Sequence, residues 1–187
     1  IGRGTEEYLI TSKGQEAPAH MPQVKRSLSV IYAANPFGAD HESSEHDPGY
    51  KAYPERMKEI GLTNPQEKLA LNKEMMRFAM ITQHLSSAVD SISVCAFIFG
   101  ASFQLYSPEE LVKTVNAVMG WDVDMKEILE LGERRLNMLR AFNSREGVGR
   151  ESDTLPKKMF KRPLKGGRSD GYVLNEEEWE TALEDYY

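Results

Sequence analysis

A mainly α fold is predicted for this chain of 187 residues, and three observations predict it. Apolar residues recur at helical spacing over long windows, three helix starts carry capping sequences, and strand-like alternation is confined to a few residues near the beginning. The expected architecture is one multi-helical domain over 1–187. Within it, 1–50 is an irregular, loop-rich segment that faces a site, 51–187 is the helical body, and a long connector precedes the last helix.

Taken in order, Glu7-Tyr8-Leu9-Ile10-Thr11 reads as a short strand ended by Ser12-Lys13-Gly14. Prolines at 18, 22, 36 and 48 leave room for one helix, about Val24 to Ala34. It stops near Asn35, because a residue before proline is pushed out of the α region. Residues 37–50 are polar and rich in acid and histidine, a loop whose composition suits a site. Over 66–89, Leu71, Met75, Phe78, Ile81, Leu85 and Ala88 keep one helix face apolar, and Leu69, Met76 and Met80 widen it. That helix is expected to be buried on more than one side, with its methionines as core filler.

Ser107-Pro108-Glu109-Glu110 is a helix start: serine caps, proline takes the first position and Glu110 closes a capping box. Gly120 stops that helix. Asp124 with Glu127 opens another, striped by Ile128, Leu129, Leu136, Leu139 and Phe142, and Gly132 inside it predicts a close-packed neighbour. Asn175 with Glu178 caps the last helix. Residues 143–174 between them carry Gly147, Gly149, Pro156, Pro163 and Gly166-Gly167. They are expected to wrap the surface, pinned by Leu155, Met159 and Phe160. No internal repeat is visible.

The net charge of −6 argues against nucleic acid or an anionic membrane as a partner, since phosphate neutralisation needs a basic surface. The most apolar stretch, 92–103, is too short to span a bilayer and is broken by Gly100. With no secretory signal and a single thiol, the chain is expected in the cytoplasm. An opening at Ile1 in place of Met is expected of a fragment or a processed product.

That thiol, Cys95, lies in Asp90-Ser91-Ile92-Ser93-Val94-Cys95, followed by Ala96-Phe97-Ile98-Phe99-Gly100. By default a lone cysteine is a small hydrophobe in a core, and it builds neither a disulfide framework nor a full metal site. The pair Asp90 and Cys95 makes chemical sense if the segment faces a cofactor. A carboxylate pairs with the two adjacent N–H donors of a pterin, and a thiolate is a soft ligand suited to iron–sulfur iron. Asp40, His41, Glu42, Glu45, His46 and Asp47 fall within eight residues. Their spacing matches no zincin or EF-hand pattern, and acidic loops are ordinarily solvated. A histidine beside a carboxylate is still a workable acid/base. Gly38-Ala39 leaves the backbone open to a ligand, whereas His20 and His84 lack such company and read as structural or surface residues.

Together these words resemble the C-terminal region of the aldehyde:ferredoxin oxidoreductase family, tungsten (sometimes molybdenum) enzymes with a bis-pterin cofactor and one [4Fe-4S] cluster. The matching stretches run in order along the chain. They are Lys13-Gly14-Gln15-Glu16 with Pro18-Ala19-His20, Tyr32 to His41, Asp90 to Cys95, and Phe142-Asn143-Ser144-Arg145-Glu146-Gly147 with Arg150, Asp153, Leu155 and Pro156. The resemblance implies that Asp90 hydrogen-bonds a pterin, with Val94 and Ala96 lining it through backbone contacts. Cys95 would be the fourth cluster ligand. His41 would sit beside the metal as proton donor or acceptor while an aldehyde is oxidised to a carboxylic acid. Electrons would pass through the cluster to ferredoxin.

Two positions depart from well-known members. Phe37 and Ser43 stand where basic residues contact the pterin and its phosphates, and neither can neutralise a phosphate. Glu42 adds negative charge near His41. Either another basic residue, such as Lys25 or Arg26, substitutes, or the cofactor is held differently here. The family's amino-terminal pterin domain and three-cysteine motif have no counterpart here, so the remainder of the same polypeptide is an expected partner. A homodimer is also expected, and the fragment alone is expected to be inactive, without tungsten or cluster. Two other readings stay open: a non-catalytic helical scaffold that keeps the fold, and a helical interaction module whose resemblance is accidental.

Overall fold

The computed structural model describes residues 3–187; Ile1 and Gly2, the start of the expected domain, lie outside the described residues. The architecture is mainly α, as the periodicity predicts. The helices are α1 (Arg26–Ala34), α2 (Asp47–Ala52), α3 (Pro54–Glu59), α4 (Lys73–Ile92), α5 (Pro108–Met119), α6 (Met125–Arg145), α7 (Lys158–Lys161) and α8 (Glu176–Tyr186). Among the described residues no helix is long and apolar enough to cross a membrane.

The N-terminal strand is displaced from its expected place. Glu6–Tyr8 form a 3₁₀ turn, and strand pairing follows between β1 (Thr11–Ser12) and β2 (Gln15–Glu16), antiparallel, with Ser12 opposite Gln15. Lys13 and Gly14 make the two-residue turn with φ of 49° and 79°. Positive φ at both positions matches the twist of a tight hairpin. Gly38, at φ 97°, lies so close to this hairpin that a Cβ would overlap the Ser12 carbonyl.

Helix α4 is the centre of the molecule, packed on α6, α8 and α1. It starts six or seven residues later than the apolar stripe suggests, where Asn72 accepts from the Met75 N–H as cap. It also runs on to Ile92, so Asp90 belongs to its last turn. Its buried residues, Met75, Met76, Phe78, Ala79, Thr82, Gln83, Leu85, Ser87, Ala88 and Val89, go around more than one face. At the crossing with α6, Gly132 sits against the backbone of His84, and a Cβ there would overlap the His84 carbonyl. Ser87 Oγ donates to the Gly132 carbonyl at 2.9 Å. The glycine is what lets the two helices meet backbone to backbone.

Both capping boxes form as expected, Ser107 with Glu110 and Asp124 with Glu127. Asn175 caps α8 by accepting from Glu178 N–H at 3.0 Å. Helix α1 is buried from Ser27 to Ala34 and ends at Asn35. The connector after α6 carries α7 and two 3₁₀ turns. It is held down by buried Leu155, Met159 and Leu174, and by Phe160 edge-on to Trp179 with centroids 5.4 Å apart.

Candidate functional site: a cleft between the histidine loop and the Asp90–Cys95 turn

Helix α4 ends in a Schellman arrangement, in which Ser93 N–H bonds to Asp90 O at 3.1 Å and Val94 N–H to Val89 O at 3.2 Å. Ser93 adopts the left-handed conformation, φ 64°, usually left to glycine. The turn swings the chain out of the helix between Asp90 and Cys95. It also commits the Val94 N–H, so that of Val94's peptide groups the carbonyl remains for a ligand. Cys95 O then accepts from Ile98 and Phe99 N–H at 2.9 and 3.2 Å, starting a loop that closes where Phe99 bridges Tyr106.

The default reading of Cys95 as a core residue is overturned, because the thiol is exposed. So are Phe97 (60%), Phe103 (62%) and Leu105 (64%) in the loop that follows. Asp90 is likewise at the surface, not buried. Its carboxylate Oδ2 lies 3.2 Å from Arg135 Nη1 of α6, and Oδ1 carries no hydrogen bond among the described residues.

The 40–46 loop packs against this segment. Glu45, buried, accepts through Oε1 from Gln104 Nε2 at 3.0 Å and from Ala101 N–H at 3.3 Å. One carboxylate thus ties the histidine loop to the loop beyond Cys95, and burial pushes its pKa up. Between the two loops is a cleft with about 40 Å³ open to water, lined among others by His41, Glu45, His46, Ala96, Phe99 and Phe103. That is room for a water molecule or two. Asp47 is fully buried and does a structural job: it accepts from Ser27 N–H and Ser27 Oγ, both at 2.8 Å, at the start of α1. Burial raises its pKa to about 6 against those hydrogen bonds. The acidic stretch is therefore solvated only in part, with Glu42 exposed and Glu45 and Asp47 buried.

His20 is the residue that sequence reasoning misplaced. Its ring lies 4.9 Å from that of His41 and 4.5 Å from that of His46. Lys25 Nζ sits between them, 2.8 Å from His20 Nδ1 and 2.6 Å from His46 Nδ1. Lysine only donates, so both Nδ1 atoms accept. His46 Nε2 then carries its proton and donates to His41 O at 3.1 Å. Burial, and then the Lys25 charge, push the His46 pKa down to about 4; the same two causes lower that of His20. His41 itself is paired through Nε2 with Glu42 Oε1 at 2.9 Å, which confirms that Glu42 brings charge to it. His84 stays apart, partly buried at the α4–α6 crossing. No group of three or more His, Cys, Asp or Glu among the described residues is arranged to hold a metal ion.

Two expectations need revision on geometry. Gly38-Ala39 is buried under the hairpin, so its bare backbone makes room for Ser12, not for a ligand. Lys25 is engaged by the histidines, and Arg26 turns to the carbonyls of Leu69 and Val173 at 3.1 and 3.4 Å, so neither reaches Phe37 or Ser43. The cation beside those two is Arg135, which shares a pocket with Phe37, Ser43, Asn35, Gln83 and Asp90. Spacing along one chain gave no signal for it.

The first and last of the four motif stretches also meet. Lys13 of the hairpin turn and Arg140 of α6 both pair with buried Asp153, Arg140 Nη2 at 2.9 Å, and Tyr187 OH donates to the same carboxylate. Burial alone would raise the Asp153 pKa; these three partners hold it below the usual carboxylate range.

All of residues 1–187 match the family model described as aldehyde ferredoxin oxidoreductase, domains 2 and 3. Similar proteins include the tungsten-containing aldehyde ferredoxin oxidoreductases of Pyrococcus horikoshii, 29% identical over 170 residues, and Thermococcus kodakarensis, 29% over 174. These matches cover 90% and 91% of this chain, which spans about a quarter (26%) of the length of either relative. With a family model matched from end to end, the chain belongs to the aldehyde ferredoxin oxidoreductase family.

Proposed function

We propose that this chain is the C-terminal portion of an enzyme that oxidises aldehydes to carboxylic acids and passes the electrons to ferredoxin. The observation that carries the reading is the Ser93 turn, which presents Asp90 and Cys95 on one exposed surface, with Ala96 reaching the cleft that holds His41. The donor set fits a pterin and a cluster. Asp90 Oδ1 is open to accept from a pterin N–H edge, Val94 and Ala96 line the approach, and Cys95 offers one thiolate. A four-iron cluster takes four such ligands, so the other three belong to the rest of the polypeptide, and the fragment by itself is inactive.

When bound, the tungsten or molybdenum bis-pterin supplies the two-electron redox chemistry. Aldehyde and water give carboxylic acid, two protons and two electrons: the aldehyde C–H bond breaks and a new C–O bond forms. His41 serves the protons. Its Nε2 lies 2.9 Å from Glu42 Oε1, so a carboxylate stands beside the ring, the arrangement that suits a histidine acid/base. Glu45 holds the His41 loop against the loop beyond Cys95, keeping the acid/base and the thiolate in register. Cys95 would hold one iron of the cluster, which would supply the one-electron relay towards ferredoxin.

The test is elemental analysis of the intact gene product purified anaerobically, with Cys95→Ser beside it. About four irons and one tungsten or molybdenum per chain are expected in the wild type, and loss of the iron in Cys95→Ser. Iron without tungsten or molybdenum would sink the aldehyde reading. No metal at all would leave a helical scaffold that has kept its family's sequence.

A further inference from the structure

We infer that Arg135 is the cation that binds an anionic group of the pterin cofactor beside Asp90, a residue role that rests on the reading of Asp90 as a pterin ligand. The pocket between α4, α6 and the loop after α1 is lined by Asn35, Phe37, Ser43 and Gln83 together with Asp90 and Arg135. Only the last two of these are charged. A ligand that offers N–H donors to Asp90 and carries a phosphate or a thiolate nearby needs a positive partner, because an unpaired anion next to a carboxylate is repelled. Phe37 and Ser43 cannot be that partner, and Lys25 and Arg26 face elsewhere.

The geometry of Arg135 suits the task. Its Nη1 is taken by Asp90 Oδ2 at 3.2 Å and Ser87 Oγ at 3.3 Å. Nη2 and Nε have no partner among the described residues. Ser87 is itself anchored to the Gly132 carbonyl across the α4–α6 crossing, so the guanidinium is held at one edge while the rest of its fork stays open. A planar fork with three unspent N–H donors matches the oxygen geometry of a phosphate better than a lysine would. The pair also leaves Asp90 Oδ1 free. Asp90 and Arg135 therefore form one amphoteric receptor, with an acceptor for the ring edge and a donor for the acidic arm. Its position on α6 also explains why no motif within the 35–43 loop reveals it.

The experiment measures pterin, as its fluorescent oxidation product, and tungsten or molybdenum per chain in the intact gene product. Wild type is compared with Arg135→Met, Arg135→Lys, Asp90→Asn and the double variant Asp90→Asn/Arg135→Met. Arg135→Met should lower pterin per chain about tenfold or more, the size of a lost charge-assisted bond, and Arg135→Lys should fall between it and wild type. The pair is at the surface, so circular dichroism of all four should match wild type. Should Arg135→Met fail to fold, the comparison of Arg135→Lys with wild type decides. If Arg135 only orients Asp90, adding Arg135→Met to Asp90→Asn changes nothing further; a direct contact predicts a further loss in the double variant. Wild-type pterin content in Arg135→Met and Arg135→Lys, or no further loss in the double variant, would overturn the proposal. A wild-type protein free of pterin would instead overturn the reading of Asp90 on which it rests.

Discussion

Helix α1 and the loop from Cys95 to Tyr106 have similar apolar content and opposite fates. In α1 every side chain from Leu28 to Ala34 is fully buried, locked between α4 and α8. In the loop Phe97, Phe103 and Leu105 stand more than half exposed around the free Cys95. An exposed cluster of large apolar residues beside a free thiol is unusual on a finished surface. The contrast teaches that apolar content alone does not decide burial: packing between two helices buries α1, while the loop beyond Cys95 has no such neighbour over its outer side among the described residues. Asp90, Arg135 and the His41 cleft lie where the two regimes meet.

The core side of this comparison predicts the largest effect. Phe78 is fully buried on α4 and stacks on Tyr50, with centroids 4.8 Å apart. Phe78→Ala should cost about 4 kcal/mol in denaturant unfolding. A loss as small as that of a surface substitution would mean that the α4 core does not hold the fold together.

At the boundary, His46 predicts a pH effect. Its folded pKa of about 4 lies below the ordinary 6.5. Between those values the unfolded chain binds the proton more readily, so this stabilising contribution is full above pH 6.5 and is lost as pH falls toward 4. Asp47 acts in the opposite sense. Its pKa is raised from 3.8 to about 6, so its contribution is full below pH 3.8 and is lost as pH rises through 6. In wild type the two partly cancel. His46→Gln removes the first, and the stability difference between wild type and variant should grow as pH rises from 4 to 6.5. Thermal melts across that range check it, and parallel profiles would show that the Lys25–histidine cluster does not hold His46 neutral.

The smallest effect belongs to the exposed face. Phe97→Ser with Phe103→Ser should change the stability of the helical body by no more than about 0.5 kcal/mol per site. A loss comparable to that of Phe78→Ala would erase the distinction between the two regions.

Much of the fold was legible because its signals are local. The capping boxes at Ser107 and Asp124, the Asn175 cap and the stop at Gly120 each depend on residues three or four apart. Gly132 announced a close approach without naming the neighbour, which proved to be the His84 backbone. Boundaries set by competition were less legible. Apolar Leu69 and Leu71 mimic a helical stripe, yet the Asn72 cap starts α4 after them. The predicted strand at Glu7 shrank to a two-residue hairpin arm for the same reason, since its pairing is set by the turn at Lys13-Gly14.

By itself the sequence determined the five longest helices, the caps at Ser107, Asp124 and Asn175, the ordered motif stretches and the presence of Asp90, Cys95 and His41, because each is written in neighbouring residues; α2, which begins at Asp47 inside the expected loop, it did not. Only the tertiary structure decided which groups share a site. It set His20 and Lys25 beside His46, Arg135 beside Asp90, and Lys13 beside Asp153. It also left Cys95 and its aromatic neighbours outside the core. Charge pairing and burial depend on what the packing of distant segments brings within a few ångströms, and no spacing along the chain encodes that.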